Sequence, residues 1–111
     1  MAEKPNFARV VLTTASNPEE AEGLGRALAE EQLVACATFI PSVRSINRWQ
    51  GAVEYAQETL LLLKTGVEQL PPLQTRLAAL HTYETPEFLV LPVESGRPKY
   101  LDWLMANLRE P

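Results

Sequence analysis

Apolar positions along the chain change their period several times, and each change marks an element. Residues 7–14 carry Val10, Val11, Leu12, Thr13 and Thr14 in a row, a β-branched and apolar run that reads as a buried strand. Asn17-Pro18-Glu19-Glu20 follows at once: a capping side chain, a proline at the first helical position and a carboxylate three residues beyond the cap. Ala21, Leu24 and Leu28 then share one helical face while Glu19, Glu22, Arg26 and Glu30 occupy the others, which predicts a helix to about residue 32. Residues 33–40 read as a second strand, with Cys36 in its middle and Pro41 as its stop, because proline cannot donate to a ladder. Residues 41–51 mix turn formers with Val43, Ile46 and Trp49, and are expected to form an extended arm whose apolar side chains need a partner surface.

A long strand is predicted over residues 52–65. Strand side chains alternate faces, so Leu60-Leu61-Leu62-Leu63 buries both sides of a sheet and rules out an exposed edge. Leu70, Leu73, Leu77 and Leu80 return to helical spacing, with Pro71 and Pro72 tolerable only in the first turn, and the helix runs to about His81. Thr85-Pro86 breaks the chain before a fourth strand at residues 87–94, where Pro92 signals a bulge or a strand end. Gly96 and Pro98 open a last helix striped by Leu101, Leu104, Met105 and Leu108, with Tyr100 and Trp103 flanking the stripe. The order strand, helix, strand, strand, helix, strand, helix closes most simply as a split β-α-β arrangement. That is an α+β, ferredoxin-like sandwich: an antiparallel sheet with helices on one face, and an extra C-terminal helix.

The chain has 111 residues, enough for one domain but not for two independent cores. Its formal net charge of -4 argues against a polyanion partner, so no nucleic acid is expected. No apolar run approaches the roughly 20 residues of a membrane helix, and residues 1–6 lack a cationic flank followed by a hydrophobic block. A cytoplasmic protein is expected, in keeping with a single cysteine that cannot form an intramolecular disulfide. Apolar residues on both faces of the sheet would leave a patch larger than soluble monomers tolerate, so self-association is expected, with the arm reaching a neighbour.

The run Leu33-Val34-Ala35-Cys36-Ala37, then Pro41, Ser45, Trp49-Gln50-Gly51, Glu58 and Lys64-Thr65, is followed by His81-Thr82-Tyr83-Glu84-Thr85-Pro86-Glu87, Leu91-Pro92 and Tyr100-Leu101-Asp102-Trp103-Leu104. In order and spacing this set strongly resembles the CutA divalent-cation tolerance family over nearly the whole chain. The resemblance implies a ferredoxin-like subunit in a homotrimer similar in architecture to the PII signalling proteins. It also implies a cytoplasmic role in tolerance of copper and other divalent metals, with no established enzymatic activity. The chain departs from the family's habit at Asn47, where an aromatic residue is common, and at Thr82, where a proline usually follows the histidine.

Three residues are candidate metal ligands: Cys36, His81 and Glu87. A thiolate suits copper or zinc, yet a mid-strand cysteine between two alanines also packs as a small hydrophobe. An imidazole at a helix end could bind metal, or could satisfy the last carbonyls. One cysteine and one histidine cannot close a four-ligand site in one subunit, so symmetry-related copies or carboxylates such as Glu58 or Glu87 would have to complete it. Trp49 is read as an anchor for assembly rather than a stacking platform. Glu58 and Lys64 lie six apart on one strand and so share a face, where they could form a cleft with Tyr83 or Tyr100, or a structural ion pair at a subunit boundary. No phosphate-cradling loop, nucleophile motif or HExxH pattern is present, so no enzyme and no required cofactor are expected. Three functions remain open: a trimeric copper-tolerance protein with weak metal binding, a PII-like trimer holding a small effector in its subunit clefts, and a purely structural trimer.

Overall fold

The computed structural model describes residues 7–111, so the N-terminal reading over residues 1–6 lies outside the described residues. Its elements are β1 (Ala8–Ala15), α1 (Pro18–Glu30), β2 (Cys36–Trp49), β3 (Ala52–Gly66), α2 (Leu70–Leu80), β4 (Leu89–Pro92) and α3 (Pro98–Ala106). The four strands form one antiparallel sheet in the order β2-β3-β1-β4, the ferredoxin-like arrangement in which β3 is inserted between β1 and β2.

The local signals explain most of this. Asn17 Oδ1 accepts the Glu20 N–H at 2.8 Å while Glu20 Oε1 accepts the Ser16 N–H at 3.2 Å, so the start of α1 is closed from both sides. Pro71 and Pro72 occupy the first turn of α2, where their missing N–H groups leave no intrahelical bond unmade. Helix α1 is shorter than the periodicity suggests: it ends at Glu30, and Gln32 takes a φ of 57° in the left-handed region.

Two readings are corrected. The second strand does not span residues 33–40 and does not stop at Pro41. It begins at Cys36 and runs to Trp49, and the residues expected to be an extended arm reaching a neighbour pair antiparallel with β3 of the same chain from Val43↔Glu58 to Trp49↔Ala52. A register shift between Ile40 and Val43 absorbs Pro41 and Ser42, with Ser42 at a φ of 60°; the proline sits at a bulge, where no ladder donor is required. The hairpin closes through Gln50 and Gly51 at φ values of 50° and 82°, the left-handed pair whose twist matches the flanking strands. Leu33 and Val34 are nevertheless fully buried, so their apolar character served packing rather than a ladder.

Alternation along β3 divides the four leucines. Leu61 and Leu63 are completely buried with Val11 and Ala15 of β1, under Ala21, Leu24 and Leu28 of α1 and Leu73 and Leu77 of α2. Leu60 and Leu62 point to the other face and are half-buried. The C-terminal helix covers one end of that second face: Leu104 and Leu108 form a small separate cluster with Ala8, and a Cβ on Gly66 would meet Leu108 at 3.0 Å. The distal half of the β2–β3 hairpin, residues 43–57, is mostly exposed and projects beyond the helices. It stretches the molecule to 54 × 25 × 22 Å and raises the radius of gyration to 15.0 Å, against about 13 Å for a compact chain of this length.

Candidate functional site

The sheet face not covered by α1 and α2 carries most of the candidate residues. By register, Ile40 lies beside Leu60, Thr38 beside Leu62, Leu62 beside Leu12, and Val10 beside Leu91, with Leu89 next to Leu12 on the far edge. Ile40, Leu89 and Leu91 are each about half exposed, at 45%, 54% and 45%. A contiguous apolar strip thus crosses all four strands, and two polar clusters, built on Glu58 and Lys64 of β3, flank Leu60 and Leu62 on either side along the strand.

The first cluster ties the segment after α2 to the sheet. His81 is buried, its Nε2 lies 2.8 Å from the Thr14 carbonyl, and its Nδ1 accepts the Tyr83 N–H at 3.0 Å. That pattern assigns the proton to Nε2, which donates to Thr14, so both ring nitrogens are committed. The rings of His81 and Tyr83 stack obliquely with centroids 4.7 Å apart, and the Tyr83 hydroxyl donates to Glu58 Oε2 at 2.7 Å. Burial first, then the hydrogen bond to Glu58 and the charges of Glu58 and Glu20, push the Tyr83 hydroxyl well above the ordinary tyrosine range. Thr82, standing where a proline was expected from the resemblance, donates from its hydroxyl to Glu20 of α1. The threonine therefore adds an anchor between this segment and the helix cap.

The second cluster lies six residues further along β3, near its C-terminal end. Cys36 is the register partner of Lys64, and the Lys64 ammonium is 3.8 Å from Cys36 Sγ while donating to the Thr38 hydroxyl. Thr38 also lies 3.7 Å from the sulfur. All three residues fall on the same face by alternation.

Glu58 and Lys64 do share a face, but they do not form one pocket within the chain. Six residues of extended strand separate them by about 20 Å, and each has its own partner, Tyr83 for the one and Thr38 for the other. Tyr100 does not join either cluster: it is exposed on α3 against Trp103, with ring centroids 5.6 Å apart. Trp49 stands at the hairpin tip opposite Ala52, nearly half exposed. Glu87 is exposed in the segment before β4, and Cys36 sits opposite Lys64 while His81 bonds Thr14, which pairs with Leu60 four positions away on β3. Among the described residues no group of three or more His, Cys, Asp or Glu side chains gathers as a metal-holding set. Sequence reasoning missed Thr14, Thr38 and Glu20. Thr38 was accessible through the two-residue alternation from Cys36, whereas Thr14 meets His81 across 67 positions and left no local signal.

Comparison with known proteins adds the decisive observation: the model of the CutA1 divalent ion tolerance protein family matches residues 9–107. The chain belongs to this family. The divalent-cation tolerance protein CutA of Thermus thermophilus is 47% identical over 98 residues, covering 88% of this chain and 95% of that protein. A solved structure of the T. thermophilus protein superposes with a TM-score of 0.91 at 45% identity, covering 93% of this chain and all of the other. The structure of a protein from Archaeoglobus fulgidus, described as a periplasmic divalent cation tolerance protein, gives a TM-score of 0.90 at 31% identity over 93% of this chain and 100% of that one. The family is named for ion tolerance and not for a reaction. No helix among the described residues is long and apolar enough to cross a membrane.

Proposed function

We propose that this family member acts in divalent-cation tolerance as a cytoplasmic homotrimer that is not an enzyme. Copper or a related divalent ion would be held weakly, by donors that meet only between subunits. The observation that carries the reading is the uncovered sheet face: an apolar strip spanning four strands, including half-exposed Ile40, Leu89 and Leu91, is a surface that a soluble chain hides by assembly. Closed threefold assembly would also multiply each donor by three, which a single chain cannot do for itself.

The donor chemistry supports weak rather than tight binding. Cys36 offers a soft ligand, but the Lys64 ammonium 3.8 Å from its sulfur repels an incoming cation. His81 could ligate through Nδ1 only by releasing the Tyr83 N–H, so Cys36 and an exposed carboxylate such as Glu87 are the more available donors. The same Lys64 and Thr38 favour a second reading, a PII-like trimer whose clefts take a small anionic effector, any metal being incidental.

Sedimentation at micromolar concentration should give about three subunit masses, since interfaces that cover a sheet face rarely dissociate there; a clean monomer would contradict the proposal. Titration with Cu(II) should show binding that Cys36→Ala weakens and His81→Ala changes little. Unchanged stoichiometry and affinity in both variants would remove the metal site from these residues and leave the effector reading.

A further inference from the structure

The helical layer, on the side of the sheet away from the apolar strip, carries an open groove of about 550 Å³ between the end of α1, the first turns of α2 and the segment after α3. Its lining includes Leu33, Pro71, Pro72, Glu31, Arg76 and Arg109. The two arginines differ in their commitments. Arg76 Nε lies 3.0 Å from both carboxylate oxygens of Glu31, so that pair is internally neutral. Arg109 is fixed through its backbone: its N–H donates to the Gln32 carbonyl at 2.9 Å, and its own carbonyl accepts from Gln69 Nε2 at 2.8 Å. Among the described residues its guanidinium has no ion-pair partner. The groove lining therefore carries one uncompensated positive charge on a chain whose formal net charge is -4, borne by an exposed side chain whose backbone is held by bonds to Gln32 and Gln69.

We propose that this groove binds a small aromatic carboxylate. A single net positive charge matches a monoanion, and the planar guanidinium fork of Arg109 matches the two oxygens of a carboxylate. The pyrrolidine rings of Pro71 and Pro72, beside buried Leu33, supply a rigid apolar wall against which a flat ring loses little freedom on binding. Its place on the helical layer leaves the groove open when the other sheet face is covered, so it is independent of the tolerance reading.

The test is an amide NMR titration of the full-length protein with benzoate, and in parallel with benzamide, which keeps the ring but lacks the charge. Benzoate should produce saturable shifts at the amides of Leu33, Thr75 and Ala79, with a dissociation constant on the order of millimolar for so small a ligand. Arg109→Gln should weaken binding roughly tenfold. Benzamide should give no saturable shift. The proposal is overturned by the absence of saturable shifts, by equal shifts from benzamide, by binding that Arg109→Gln leaves unchanged, or by shifts confined to Leu60 and Leu62 on the opposite face.

Discussion

Replacing Tyr83 with phenylalanine removes one oxygen from the network that holds the post-α2 segment to the sheet. In the native chain that hydroxyl donates to Glu58 Oε2 at 2.7 Å, and Glu58 is only 7% exposed. Hydrogen bonds to charged groups contribute about 1.5–3 kcal/mol, and a buried acceptor left without its donor is the reason for the upper end of that range. Tyr83 itself is half-buried, so water can reach the vacated position, which holds the expected loss to ~1.5 kcal/mol. Phenylalanine keeps the ring contact with His81 and the backbone N–H that His81 Nδ1 accepts, so the substitution isolates the hydroxyl. Urea denaturation at pH 7 and one fixed protein concentration measures the loss, since self-association makes the midpoint depend on concentration. In a cycle with Glu58→Gln the two changes should couple by about 1 kcal/mol. The same contact sets an alkaline limb. Because folding raises the Tyr83 pKa above its ordinary 10, the contribution is complete below about pH 10 and is lost as pH climbs toward the folded value. Native stability should therefore decline above pH ~10, and Tyr83→Phe should flatten that decline. A loss under about 0.5 kcal/mol together with full additivity would refute the reasoning.

Three further substitutions probe the packing, the turn and the assembly. Gly25→Ala gains about 0.5–1 kcal/mol of helix propensity, but the new Cβ would meet the Phe39 ring at 2.6 Å and Ala37 Cβ at 3.1 Å. Overpacking of 1–3 kcal/mol outweighs the gain, so a net loss of ~1 kcal/mol is expected by thermal unfolding, relieved when Phe39→Leu is added. Gly51→Ala meets no atom within 4 Å yet must hold a φ of 82°, so it should lower stability by about 1 kcal/mol through backbone strain alone. Leu62→Glu places a charge in the middle of the apolar strip at a half-buried position, so the subunit should fold while sedimentation shows it as a monomer at micromolar concentration. An unchanged assembly in that variant would mean that a different surface associates.

Most of the element order was legible in the sequence. The cap at Asn17, the paired prolines that open α2 and the leucine spacing of both helices are local signals, and local hydrogen bonding and helical geometry enforce them directly. The division of Leu60 to Leu63 between two faces follows from strand geometry in the same way. The length of β2 was not legible, because Pro41 carries a stop signal that a bulge overrides once β3 supplies a partner ladder. Of the site, the alternation of Glu58 and Lys64 placed both on one face, but it could not reveal that each finds a different partner.

Sequence alone determined the elements, their order and the surplus of apolar side chains on the sheet, because periodicity and capping act within a few residues. Tertiary structure alone decided that Thr14 engages His81, that Thr38 takes up Lys64 and that Gln32 and Gln69 pin Arg109. Those contacts join positions 26 to 77 residues apart, and a hydrogen bond between such distant groups exists only after chain closure has brought them within 3 Å or so.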